Sequence, residues 1–83
     1  MYYVYVLKLD EKGGKRFYIG YTKDLKSRML QHENGYTRST KGRNPKLIYY
    51  EAYMDKYLAI NREKGLKSSG SVYVSLLKRI GEK

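Results

Sequence analysis

From Tyr2 to Leu9 the chain is apolar at almost every position, so both alternating faces of a strand there would be covered. Polar residues take over from Asp10 to Lys15, where Gly13-Gly14 reads as a hairpin loop, and Arg16 to Tyr21 returns as a second strand. The repeat then lengthens to that of a helix. Thr22 or Asp24 can cap a helix running to about Asn34, and Gly35 supplies a left-handed stop. Tyr36 to Pro45 is a polar, basic loop, and Lys46 to Tyr53 is a third strand. Asp55 caps a second helix through about Lys67, in which Gly65 costs about 1 kcal/mol relative to Ala and predicts a bent last turn. Ser68 to Ser71 reads as a break, with Ser71 capping a short terminal helix. There Val72, Leu76 and Ile80 recur at i, i+4, i+8, although the β-branched Val72-Tyr73-Val74 argues for a strand. The order ββαβαα predicts an α+β fold, a small three-stranded antiparallel sheet flanked by helices.

Length and charge narrow the function. With 83 residues the chain makes one domain, 1–83, with a single modest core. Eighteen Lys and Arg against eight Asp and Glu give a net charge of +10, which points to polyanions and above all nucleic acid as the partner, the other reading being a ribosome-associated or merely soluble basic protein with an ordinary solvated face. The absence of cysteine excludes disulfides and thiolate metal sites. Tyr2 to Leu7, the longest apolar run, is far too short to span a bilayer and lacks the basic leader of a secretory signal. The expectation is a cytoplasmic protein without a membrane partner. Eleven tyrosines stand out, but β-propensity alone accounts for aromatics in strands.

Helix faces supply candidate chemistry. Leu25, Arg28, Met29 and His32 share one face of the first helix, and the apolar pair turns that face toward the sheet. Arg28 and His32 thus lie on or beside a stripe that packing would make apolar. Two readings follow: an Arg that snorkels to the helix edge with a His bonded to backbone, or a functional site. Ala59, Arg62, Glu63 and Leu66 repeat the pattern in the second helix, with Arg62 the nearest candidate partner for Glu63. Tyr5 and Tyr18 lie on strands joined by a hairpin, where side chains on one face approach each other. A phenol has an ordinary pKa of about 10, and a nearby cation such as Arg28 or a bound metal would lower it and make a phenolate plausible.

Taken together, these residues resemble the GIY-YIG nuclease superfamily over nearly the whole chain. Tyr3-Val4-Tyr5 stands where the first motif belongs, with Tyr3 in place of its glycine, and Tyr18-Ile19-Gly20 is the second motif intact. Arg28 follows in Asp24-Leu25-Lys26-Ser27-Arg28, His32-Glu33-Asn34-Gly35 matches the end of that helix, and Ala59-Ile60-Asn61-Arg62-Glu63-Lys64 resembles the segment bearing the metal-binding Glu. The chain is similar to the small stand-alone bacterial members. Tyr21 stands where repair-type relatives carry a lysine, and Lys23 and Lys26 are nearby sources of that charge.

The resemblance implies hydrolysis of phosphodiester bonds in nucleic acid, DNA first, by an endonuclease with one divalent metal ion, Mg²⁺ or Mn²⁺, held by Glu63. Tyr5 is then the base that activates water, His32 takes up its proton, Arg28 stabilises charge at phosphorus, and Tyr18 orients water or phosphate. Tyr5 and Tyr18 can exchange these roles. Gly20 either lets the backbone approach substrate or ends a strand. Arg38, Lys41 and Arg43 in the basic loop are candidate phosphate contacts, with an ordinary solvated loop as the other reading. Cutting both strands calls for a homodimer or a further protein partner. The competing function is a non-catalytic nucleic-acid-binding module, for DNA or RNA, on the same fold. Solvent-exposed rings among Tyr2, Tyr49, Tyr50 and Tyr53 would favour base stacking.

Overall fold

The structure, a computed structural model, describes residues 1–11 and 14–83. In chain order it contains β1 (Tyr2–Lys8), β2 (Phe17–Thr22), α1 (Leu25–Glu33), β3 (Lys46–Tyr53), α2 (Lys56–Ser68) and α3 (Gly70–Arg79). The order and the antiparallel three-stranded sheet match the sequence expectation, with β1 in the centre of β2-β1-β3. Within the expected hairpin loop, Gly13 lies outside the described residues. The Leu9 N–H closes the loop's base on the Arg16 carbonyl at 2.6 Å.

The unbroken apolar run of β1 has its explanation in two covered faces. Val4 and Val6 pack with Ile19 of β2 against Ala59 and Leu66 of α2 and Leu76 of α3. Tyr5, Leu7 and Leu9 point the other way and meet Tyr18, Leu25 and Met29 under α1. Removing one such buried aliphatic side chain from water is worth roughly 1.5–3 kcal/mol, so β1 supplies much of the stability of so small a core.

Helix ends follow the chemistry of their caps. Asp24 caps α1, accepting from the Ser27 N–H at 3.1 Å and the Ser27 hydroxyl at 2.9 Å, and these bonds hold its carboxyl below the usual range. Gly35 takes φ +74 just past the helix, as its stop position requires. Asp55 caps α2, which runs through Gly65 to Ser68. The expected four-residue break shrinks to Ser69, whose hydroxyl accepts from the Val72 N–H and caps α3 in place of Ser71. The face that α3 buries is also displaced: Leu76 and Leu77 are buried, while Val72 is exposed.

Arg62 corrects a further expectation. Its guanidinium grips Glu51 of β3 through two bonds of 2.9 Å, not Glu63. Adjacent helical residues point about 100° apart, so Arg62 reaches Glu51 while Glu63 points in another direction and pairs with Lys67. Glu51 also accepts the hydroxyls of Tyr49, at 2.6 Å, and Tyr53, and Arg79 of α3 stands 3.9 Å away. Burial pushes this carboxyl up, but the bonds from Arg62, Tyr49 and Tyr53 outweigh it and hold it below the usual range. The cluster clamps β3, α2 and α3 on the sheet face opposite α1.

Candidate active site

Tyr5 is fully buried in the middle of β1, facing α1, and it pairs across the sheet with Gly20 of β2. A Cβ added at Gly20 would stand 2.3 Å from the Tyr5 Cζ and hydroxyl oxygen, well inside any tolerable contact. Gly20 therefore does not end a strand. It lies mid-strand and makes the space in which the phenol sits. Tyr18, two residues earlier on the same face of β2, places its ring 6.3 Å from that of Tyr5.

His32 sits one helical turn beyond Arg28 on the inward face of α1 and is 2% exposed. Its ring packs edge-on against both phenols, at 5.6 Å from Tyr5 and 5.2 Å from Tyr18. Nε2 lies 2.9 Å from the Tyr5 hydroxyl, and Nδ1 lies 2.8 Å from the Thr40 hydroxyl. The far end of this chain sets its polarity. Thr40, fully buried, aims its hydroxyl proton at the Thr37 carbonyl, 3.4 Å away, which can only accept. With the hydroxyl proton so turned, the Thr40 oxygen can receive the Nδ1–H of His32, and we assign the tautomer in which Nε2 accepts from the Tyr5 hydroxyl. No buried side-chain nitrogen or oxygen among the described residues lacks a hydrogen-bond partner.

The electrostatics agree with a neutral pair. Burial, then the neighbouring Tyr18, push the Tyr5 phenol up to about 12, with Arg28 acting in the opposite direction and Glu63 in the same one. Burial, then the charge of Arg28, hold His32 below its ordinary value, so the imidazole is an unprotonated acceptor at neutral pH. Four of the five expected catalytic residues, Tyr5, Tyr18, Arg28 and His32, are thus brought together between β1, β2 and α1. Glu63, on α2, is near enough for its charge to be felt at Tyr5. It is half-buried and pairs with Lys67 at 3.3 Å.

A metal ion can be accommodated on chemical grounds. Among the described residues no three His, Cys, Asp or Glu side chains cluster as metal ligands. One carboxylate suits an ion such as Mg²⁺ that keeps several waters and takes phosphate oxygens. The Lys67 partner is half exposed, and an ion pair of that kind is worth at most about 1 kcal/mol, so it yields readily.

The expected substrate-binding residues divide. Lys23 and Lys26 are exposed at the start of α1 and line a groove with Tyr3 and Tyr50. Arg38 and Lys41 are exposed in the loop after α1. Arg43 instead donates to the Asp10 carbonyl at 2.7 Å and the Lys15 carbonyl at 2.5 Å, tying that loop to the β1–β2 connection. Of the tyrosines that would report base stacking, Tyr50 alone is exposed, at 52%. Tyr49 and Tyr53 serve Glu51, and Tyr2 stacks on Tyr21. Thr40 escaped the sequence reading because it sits in a polar loop with no periodicity to single it out.

The model of the GIY-YIG catalytic domain matches residues 1–71, and these contain the paired motifs on β1 and β2 as well as Arg28, His32 and Glu63. The chain belongs to the GIY-YIG family. It is 36% identical to a UPF0213 protein of Staphylococcus epidermidis over 81% of this chain and 80% of that protein. A UPF0213 protein of Staphylococcus saprophyticus is 38% identical over the same shares, 81% and 80%. One from Haloquadratum walsbyi is 32% identical over 81% of this chain and 74% of that protein. No solved structure matches significantly. In this GIY-YIG domain the two motifs that name the family are one packed unit, since the Tyr5 ring of the first fills the space left by Gly20 of the second. Membership places the chain in a nuclease superfamily, and nucleic acid follows as its substrate class.

Proposed function

We propose that this protein is a metal-dependent endonuclease that hydrolyses phosphodiester bonds in DNA. The observation that carries the reading is the buried Tyr5–His32 hydrogen bond, with Nε2 left as an acceptor and Arg28 beside it. As a water attacks phosphorus, its proton passes to the Tyr5 oxygen while Tyr5 gives its own to His32 Nε2. A phenol held at about 12 is a poor reservoir of phenolate, so His32 serves by accepting the proton within the same step. Arg28 stabilises the charge that builds on the phosphate oxygens, and Tyr18 orients the attacking water or the phosphate. Glu63 would hold the divalent ion, Mg²⁺ or Mn²⁺, which when bound supplies Lewis-acid stabilisation to the leaving oxygen.

The net charge of +10 supports a polyanionic substrate. Lys23, Lys26, Arg38 and Lys41 are the exposed cations we assign to phosphate contacts. Cleavage of both strands would take a homodimer or a second protein. Among the described residues no helix is long and apolar enough to cross a membrane, and we assign the protein to the cytoplasm with its nucleic-acid substrate. The ion pair that occupies Glu63 favours the second reading, a binding module that does not cut. Nicking of supercoiled plasmid with Mg²⁺ separates the two. Glu63→Gln and Arg28→Ala should each reduce the rate roughly a hundred-fold or more, and full activity in either variant rules out the assignment.

A further inference from the structure

Beside the catalytic group runs a groove of about 540 Å³ between α1 and β3, within the volume range of ligand sites. It exists because α1 packs over β1 and β2 and leaves the same face of the edge strand β3 open. Tyr50 (52% exposed), Leu30 (52%) and Leu47 (41%) line it, and the rings of Tyr50 and Tyr3 meet edge to face at 6.0 Å. Such a cluster of open apolar side chains marks an interaction surface. Its rim is cationic. Lys23 and Lys26 are both exposed there, while the carboxylate of Asp24 between them is taken up by Ser27.

Resting on the nuclease reading above, we propose that this groove takes an unpaired nucleotide of a DNA strand. Its base stacks on Tyr50, and its phosphates lie against Lys23 and Lys26. The two-part chemistry selects the occupant. Duplex DNA keeps its bases inside and offers a protein surface mainly phosphate, which leaves an apolar floor unmatched. A second copy of this chain would bring another charge of +10 against the same lysines. An unpaired nucleotide has both an aromatic face and an anion, the combination that aromatic residues within a basic groove recognise. Tyr50 pairs directly across the sheet with Tyr5, their Cα atoms about 5 Å apart, so the bond to be cut falls within about two nucleotides of the stacked base. The preferred substrate is therefore a junction between duplex and single strand, such as an overhang or flap.

Binding of the whole protein to labelled DNA in EDTA tests this without relying on cleavage. The probes are a blunt duplex and the same duplex with a short single-stranded tail. The wild type should prefer the tailed probe, and Tyr50→Ala should lower its affinity roughly ten-fold with little change for the blunt one. Tyr50→Trp should keep the preference. Lys23→Gln with Lys26→Gln should reduce the salt slope on the tail by about 1.4. Equal binding of both probes, or a tail preference indifferent to Tyr50→Ala, overturns the proposal. So does a dimer in sedimentation that Tyr50→Ala dissolves, because the groove then belongs to a second copy. Adding Mg²⁺ afterwards separates the two claims: a tail bound through Tyr50 but never cut refutes the nuclease and leaves the groove.

Discussion

Thr40→Val removes a hydroxyl while keeping the shape of the side chain, and its effect should travel through His32 to Tyr5. In the wild type the Nδ1–H is held by Thr40 at 2.8 Å, which keeps Nε2 free to accept from Tyr5 at 2.9 Å. Without the hydroxyl, a donor at Nδ1 is left unsatisfied in a buried site, a cost of about 1–3 kcal/mol. The proton escapes that cost by moving to Nε2, where it points at the Tyr5 oxygen. Tyr5 then has no acceptor. At pH 8 a phenol held at about 12 is ionised to roughly one part in 10⁴, so unassisted Tyr5 cannot compensate. Since a positioned base contributes roughly 10²–10⁴ in rate, kcat should fall at least about a hundred-fold, with KM little changed. Thr40→Ser should restore it. The chain has a single histidine, so long-range ¹H–¹⁵N correlation reads its tautomer without ambiguity. At pH 8 the wild type should carry its proton on Nδ1 and Thr40→Val on Nε2. A wild-type His32 protonated on Nε2, or a Thr40→Val enzyme with unaltered kcat, would refute the reasoning.

Other perturbations probe the same architecture. Gly20→Ala sets a methyl 2.3 Å from the Tyr5 phenol, and overpacking of this kind should cost about 1–3 kcal/mol. Thermal melting reads that loss, and cleavage should fall further than melting explains because Tyr5 must move. Glu51→Gln leaves Arg62 without its carboxylate in a half-buried cluster, which should lower stability by about 2 kcal/mol and Tm by about 10 °C while sparing the catalytic group. His32 gives a pH dependence with a defined sign. Its folded-state value lies below the ordinary 6.5, so the unfolded chain binds the extra proton first. Stability should therefore be full above pH 6.5 and fall as pH drops from there through the folded value. Urea unfolding of wild type and His32→Gln should diverge in that window, and parallel curves would exclude the effect.

The fold was legible because local signals agreed with one another. β1 is apolar on both faces and turns out to be covered on both, while Asp24 and Asp55 cap the helices expected of them. Arg28 and His32 stood out for the opposite reason, as polar groups on a stripe that packing would have made apolar. What the sequence concealed depends on distances through space. Thr40 meets His32 only because the chain turns back after Gly35. Arg62 has a carboxylate beside it in sequence, yet its partner Glu51 lies on a different element. The role of Gly20 is likewise invisible along one strand and obvious across two.

One strand serves two masters. Alternate residues of β1 go to opposite sides, Val4 and Val6 to the core under α2 and α3, Tyr5 and Leu7 to the side of His32. A pairing slip of one residue would exchange them, burying a phenol among aliphatic side chains and offering His32 a valine. On the proposed nuclease reading, stability and catalysis would be lost together, and a chain with a slipped β1 should be inactive. Specific activity thereby counts the correctly registered molecules in a preparation.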